Sequence, residues 1–217
     1  MYSFTEENYL KAIFKLSDGG EVSTNALAEE MNTRAASVTD MIKKLSEKEL
    51  VDYEKYKGVS LSDKGRDVAV SVVRKHRLWE VFLYDKLEFG WEEVHEMAEQ
   101  LEHIQSDALI DRLDAFLNYP KYDPHGDPIP DKQGKFAKNN FIELTKAEKN
   151  KAYVLTGVSD HSPAFLKMLE KWGLAIGTEL SVNDINEFDG SIELQLKEGN
   201  AIFLGQKSCT HILVKAI

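Results

Sequence analysis

The hydrophobic period of this 217-residue chain changes once, near residue 151, and that change confines the fold to a helical part followed by a β part. Before it, apolar residues recur every three or four positions. After it they alternate, in Ala152-Tyr153-Val154-Leu155, Glu179-Leu180-Ser181-Val182, Ser191-Ile192-Glu193-Leu194-Gln195-Leu196, Ala201-Ile202-Phe203-Leu204 and His211-Ile212-Leu213-Val214. Five short strands separated by Gly, Asn and Asp turns predict a small β-barrel, with one helix inserted at 163–171. Residues 119–134 hold four of the five prolines and read as a linker or an extended crossing segment. The fold class is therefore mainly α with a small β domain, in a chain long enough for two to three small domains.

The first helix is predicted to start at Thr5, whose hydroxyl can cap it, with Leu10, Ile13 and Phe14 inward and Gly19-Gly20 as the stop. A second helix at 24–31, the break Asn32-Thr33-Arg34 and a third helix at 35–47 follow; the third buries Val38, Met41 or Ile42, and Leu45. Two short helices joined by a tight polar turn form a helix-turn-helix pattern. The alternating pairs around Lys57-Gly58 add a hairpin, or wing. Ser37 and Thr39, near the start of the third helix, suit base edges of DNA. Arg34, Lys43, Lys44, Lys55 and Lys57 suit phosphates.

The net charge of −10 seems to oppose a nucleic-acid partner, so its distribution decides. Between Arg34 and Arg66 eight bases face six acids, whereas between Asp67 and Asn118 twelve acids face five bases. The negative charge is concentrated where a cation would sit. There, 91–105 reads as a helix that places His95, Glu99, Glu102 and His103 at i, i+4, i+7 and i+8, within about 100° of arc. His76 and Glu80, at i and i+4 on the preceding long helix (62–87), could complete a coordination shell.

Two imidazoles among carboxylates suit Mn²⁺ or Fe²⁺, and a single cysteine, Cys209, excludes a Cys-rich zinc site and an internal disulfide. His95-Glu96-Met97-Ala98-Glu99 is one residue short of a zinc-protease helix, and Glu92-x-x-His95 is half of a carboxylate di-iron motif. A helical metalloenzyme with hydrolytic or oxidative chemistry is thus the alternative reading, with neither motif complete. No apolar run approaches the ~20 residues of a membrane span, and the first ten residues do not pattern as a signal peptide. A soluble cytoplasmic protein with no membrane partner is expected.

In this order, Glu7-Asn8-Tyr9-Leu10, the winged helix-turn-helix with Glu54-Lys55-Tyr56-Lys57-Gly58, Arg74-Lys75-His76-Arg77-Leu78-x-Glu80, Val94-His95-x3-Glu99-x2-Glu102-His103 and Pro124-His125-Gly126-x-Pro128-Ile129-Pro130 resemble the diphtheria toxin repressor and manganese transport regulator family. The resemblance spans essentially the whole chain. It implies a winged helix-turn-helix DNA-binding domain at 1–65, a helical metal-binding and dimerisation domain at 66–140 and an SH3-like (FeoA-like) barrel at 148–217. It further implies a homodimeric repressor of metal-uptake genes that binds a palindromic operator in double-stranded DNA when Mn²⁺ or Fe²⁺ is loaded. By position, Glu99, Glu102 and His103 belong to an activating site. His76, Glu80 and His95 belong to a neighbouring one, with His76 able to bridge to the first. Glu99 stands where iron-type members have Cys. Asn8 stands where the family has Asp or Met, and its amide oxygen could still ligate. Asp160 or His161 could add a ligand from the barrel.

Overall fold

The structure is a computed structural model that describes residues 2–217 except 18, 19, 55, 56, 139 and 198. The chain folds as two compact units. One comprises Met1–His76, Gln100–Asp107 and Pro130–Lys135, the other Arg77–Glu99, Ala108–Ile129 and Phe136–Ile217.

In the first unit, helices α1 (Phe4–Leu16), α2 (Thr24–Glu30) and α3 (Ala35–Glu47) precede a hairpin of β1 (Val51–Glu54) and β2 (Gly58–Leu61), paired antiparallel from Val51↔Leu61 to Glu54↔Gly58. The sequence places the first cap at Thr5; the structure places it at Ser3. Ser3 is extended, its hydroxyl accepts the Glu6 N–H at 3.3 Å, and the Glu6 carboxylate accepts the Ser3 N–H at 3.0 Å. This reciprocal capping box needs an acid three residues on, which Ser3 has in Glu6 and Thr5, followed by Asn8, lacks. Ser3→Ala is expected to destabilise this unit by about 1 kcal/mol in urea unfolding.

Leu10, Ile13, Leu27, Val38, Ile42, Leu45, Leu50 and Val59 are fully enclosed, each worth roughly 1.5–3 kcal/mol of transfer free energy. Ile42 takes the core position that the sequence left open between it and Met41. The wing is braced by a bridge in which Val22 and Val59 exchange backbone hydrogen bonds of 2.8 and 2.9 Å. Gly58 is obligatory there: φ is +139°, and a Cβ would lie 2.7 Å from the Val22 carbonyl oxygen. Of the expected stop for α1, Gly19 lies outside the described residues.

A long helix, α4 (Asp63–Leu87), follows, then α5 (Val94–Leu101) and α6 (Asp107–Phe116). In the second unit Leu78, Val81, Ile110, Leu113, Leu117 and Ile129 form a helical core. The buried stripe of α6 is Ile110 and Leu113, whereas Leu109 and Phe116 are 41 and 61 % exposed.

The rest of the second unit is an antiparallel sheet built from β3 (Ile142–Glu143), β4 (Ala152–Val158), β5 (Glu179–Ile185), β6 (Ile192–Leu196), β7 (Ala201–Leu204) and β8 (Ile212–Ala216). Helices α7 (Pro163–Lys171) and α8 (Gln206–Cys209) accompany it. The strand order is β3-β8-β4-β5-β6-β7, and register shifts at Leu155/Gly157 and Val182/Asp184 bend it around a core shared with Phe165, Leu166 and Leu169 of α7. This is the small SH3-like β domain expected, with a sixth strand, β3, that two residues are too few to announce.

Within 119–134, expected as a linker or an extended crossing segment, residues 122–128 form a bonded loop. Tyr122 bridges to Pro128, Asp123 Oδ1 accepts the N–H groups of His125 and Asp127 at 2.9 and 3.0 Å, and Val158 N–H donates to the His125 carbonyl at 2.9 Å. Gly126, at φ +88°, lets this loop touch β4: a Cβ there would stand 2.1 Å from the Thr156 carbonyl oxygen. The prolines fix φ in a tight, bonded loop.

Candidate metal centre

The capping box sets the first turn of α1, and the next residues, Glu7 and Asn8, place a carboxylate and an amide oxygen in the interior of the first unit. Glu7 is buried; its Oε2 accepts from His103 Nδ1 at 2.6 Å and its Oε1 from Gln105 Nε2 at 2.7 Å. A carboxylate only accepts, so His103 Nδ1 carries a proton, and in the neutral ring Nε2 is left with the lone pair. That nitrogen stands 3.7 Å from Oε1 of Glu102, which is fully buried. Glu102 Oε2 accepts from His76 Nδ1 at 2.7 Å, and both its oxygens accept from Lys11 Nζ, at 2.6 and 2.8 Å. Asn8 Oδ1 is buried with no hydrogen-bond partner. An orphaned amide oxygen on the turn that orients His103 is a polar group awaiting a partner. Phe4, stacked on the His103 ring at 4.5 Å, covers its outer face.

In the second unit Glu80 is the hub. Its Oε1 lies 3.2 Å from His95 Nδ1 and 3.6 Å from His125 Nδ1, while His95 Nε2 is 3.6 Å from Glu99. His125 is completely buried and donates Nε2–H to the Trp91 carbonyl at 2.7 Å, which turns Nδ1 towards Glu80. Glu80, Asp123 and His125 each offer a ligand atom within 4.8 Å of the others, all from buried residues.

Burial, then the Glu80 and Asp127 carboxylates, hold the Asp123 carboxyl well above the ordinary range, against Arg77 and His125. Burial pushes the His125 imidazole down, and Glu80, Asp123 and the Trp91 carbonyl more than reverse it, for a net rise. A buried carboxyl held back from ionising beside a second carboxylate marks a pocket in which negative charge outweighs the Arg77 guanidinium, 3.5 Å from Asp123. His161 stacks on His125 at 4.5 Å and lies 3.7 Å from Asp127, whereas Asp160 uses Oδ1 to accept the Ser162 N–H at 2.8 Å.

The expected single helical face of His95, Glu99, Glu102 and His103 does not form. Helix α5 ends at Leu101, the Ile104 N–H closes a turn on the Leu101 carbonyl, and Glu102 and His103 occupy that turn. Their polar heads are drawn to Lys11, His76 and Glu7, partners that helical continuation would not supply. The pairs His95/Glu99 and Glu102/His103 therefore belong to different units. Spacing alone does not single out Glu7, Asp123 and His125, which these contacts bring to the candidate donors. Glu7 adjoins Asn8, and His125 lies in the Pro124–Pro130 segment that carries part of the resemblance.

On the helix-turn-helix, Arg34, Ser37, Lys43 and Lys44 are exposed on and just before α3, opposite buried Val38, Ile42 and Leu45. Thr39 is half-buried and its hydroxyl donates to the Ala35 carbonyl at 2.9 Å. Lys43 lies 3.6 Å from Asp40, and Lys57 on the wing pairs with Glu54 at 2.8 Å, all four side chains exposed. Lys55 lies outside the described residues.

A winged helix-turn-helix, a helical segment rich in imidazole and carboxylate donors, and a small β domain define a class of multidomain regulators. Residues 1–59 match the iron dependent repressor, N-terminal DNA binding domain; residues 62–131 the iron dependent repressor, metal binding and dimerisation domain; and residues 142–216 the FeoA domain. The chain is 35% identical over 118 residues to the HTH-type transcriptional regulator MntR of Oceanobacillus iheyensis, covering 54% of this chain and 80% of that protein. It is 35% identical over 127 residues to the iron-dependent repressor IdeR of Mycobacterium tuberculosis, covering 58% of this chain and 55% of that one, so it spans about half the length of the mycobacterial relatives it matches. A solved structure described as a manganese-dependent transcriptional repressor complex with manganese superimposes with a TM-score of 0.88 at 35% identity, covering 98% of this chain and all of that one (100%). The chain belongs to the iron-dependent repressor family, as the resemblance in its motifs implies.

Proposed function

We propose that this protein is a transcriptional repressor that reads a palindromic operator as a homodimer when loaded with Mn²⁺ or Fe²⁺, and that it controls metal-uptake genes in the cytoplasm. The observation that carries this reading is the junction in the first unit between the first turn of α1 and the turn at 102–103. Glu102 Oε1, His103 Nε2 and the partnerless Asn8 Oδ1 offer hard oxygen and imidazole donors with no thiolate, a set that suits Mn²⁺ or Fe²⁺. A divalent ion bound there would supply an electrostatic link between the donors of these two segments. Glu7 holds the His103 ring at the angle that presents Nε2, and Gln105 holds Glu7. The winged helix sits at one end of this link, so its orientation becomes metal-dependent. Two heads fixed one DNA turn apart can then grip a two-fold operator without a further ordering cost.

Glu80, Asp123 and His125 are assigned to a second cation site, with His95, Glu99 and His161 around it and Asp160 as a helix-flanking cap. The exposed Leu109 and Phe116, apolar on the helical segment, suit the dimer surface. Ser37 and Thr39 are assigned to base edges, and Arg34, Lys43, Lys44, Lys55 and Lys57 to phosphates. Membership of a repressor family favours this over the metalloenzyme alternative. Among the described residues no helix is long and apolar enough to cross a membrane. The test is selection of duplexes from random DNA with Mn²⁺ and with chelator. A palindromic consensus is expected only with Mn²⁺, and recovery of the same consensus under chelation would sink the reading.

A further inference from the structure

Glu102 is fully buried, and the chain already meets it with a cation of its own. Lys11 lies one helical turn beyond Glu7 on α1, and its Nζ reaches both Glu102 oxygens, at 2.6 and 2.8 Å. The shorter contact is to Oε1, the oxygen that faces His103 Nε2. The ammonium thus engages the lone pairs that a bound cation would require.

We propose that Lys11 is an internal competitor. Its ammonium holds Glu102 until a divalent cation displaces it, and so sets the metal concentration at which the protein responds. The inference rests on the reading of Glu102 and His103 as cation donors. A monovalent ion gains little by replacing one positive charge with another, whereas a divalent ion also draws on the imidazole and amide donors. The Lys11 side chain is 18% exposed, so once displaced the ammonium has a short route to water. The exchange keeps Glu102 paired in both states, which spares a buried carboxylate the cost of standing alone.

The experiment is titration of the full chain with Mn²⁺ alone, with free Mn²⁺ counted by electron paramagnetic resonance. Lys11→Met keeps the apolar stem and removes the charge. It is expected to tighten Mn²⁺ about tenfold or more, because a charge-assisted bond of this kind is worth about a decade in an equilibrium constant. Lys11→Arg keeps the charge and adds a fork that fits both carboxylate oxygens, so it is expected to bind Mn²⁺ more weakly than the parent. Unchanged or weaker binding in Lys11→Met, or tighter binding in Lys11→Arg, overturns the proposal. Should Lys11→Met fail to fold, the Arg variant decides alone. Glu102→Gln in the same titration separates the two readings. If it binds like the parent, the site assignment fails. If it loses the ion while Lys11→Met gains nothing, only the competitor fails.

Discussion

Glu102→Gln and His103→Ala are each expected to weaken Mn²⁺ binding in the first unit on the order of a hundredfold or more, and to bring operator binding down to that of the chelated parent. Loss of an outer residue that merely orients a ligand costs 10–100-fold as a rule, and these two residues present the donor atoms themselves. Glu102→Gln is close to isosteric, so the enclosed pocket beside Lys11 and His76 keeps its packing and the change is one of charge. The measurement is operator affinity by fluorescence anisotropy across a Mn²⁺ series, with circular dichroism to show that the helices persist. Retention of a parent-like Mn²⁺ response in either variant would move the activating site elsewhere.

The second large effect concerns His125. His125→Ala should remove one Mn²⁺ from the stoichiometry and abolish much of the heat stabilisation that Mn²⁺ gives to the unit containing the β domain. A ligand at a hundred times its Kd stabilises the state that binds it by about 2.7 kcal/mol, or about 5–10 °C in Tm for a chain of this size. His125 has no exposed surface and Glu80 and Asp123 are buried beside it, so without a cation the variant leaves two acids facing each other with less compensation. Calorimetry with and without Mn²⁺ reads this directly. An equal Mn²⁺-induced rise in parent and variant would show that the Glu80 cluster is not a cation site.

Much of the architecture is legible in the residues because it rests on local patterning. Val38, Ile42 and Leu45 recur at helical spacing and are enclosed; Tyr153 and Leu155, Leu180 and Val182, and Leu194 and Leu196 alternate and line the core of the sheet. The donor sets were less legible, since they depend on where helices stop and on loops that close at long range. Periodicity extends α5 through His103, but the buried Glu7 and the partly buried Lys11, more than ninety positions earlier, pull residues 102 and 103 into a turn. The prolines of 119–134 suggest a linker or an extended crossing segment. What they encode is a bonded loop whose Asp123 and His125 point inward, and no local rule announces that a His-Gly pair inside it will pack on β4. Asn8 departs from the family pattern, while its neighbour Glu7 makes the bonds to His103 and Gln105.

The first turn of α1 has one more property. Glu6 accepts from Lys48, the residue that terminates α3, at 2.5 Å, and this bond, ahead of the Ser3 amide, holds the Glu6 carboxyl below its usual range. Glu7, next along the same turn, grips His103. Consecutive residues of a helix are 1.5 Å apart along its axis and share one hydrogen-bonded ring system, so they cannot be displaced independently. That turn is therefore a crank: a displacement imposed at its imidazole end, through Glu7, is shared with Glu6 and so with Lys48 at the tail of α3.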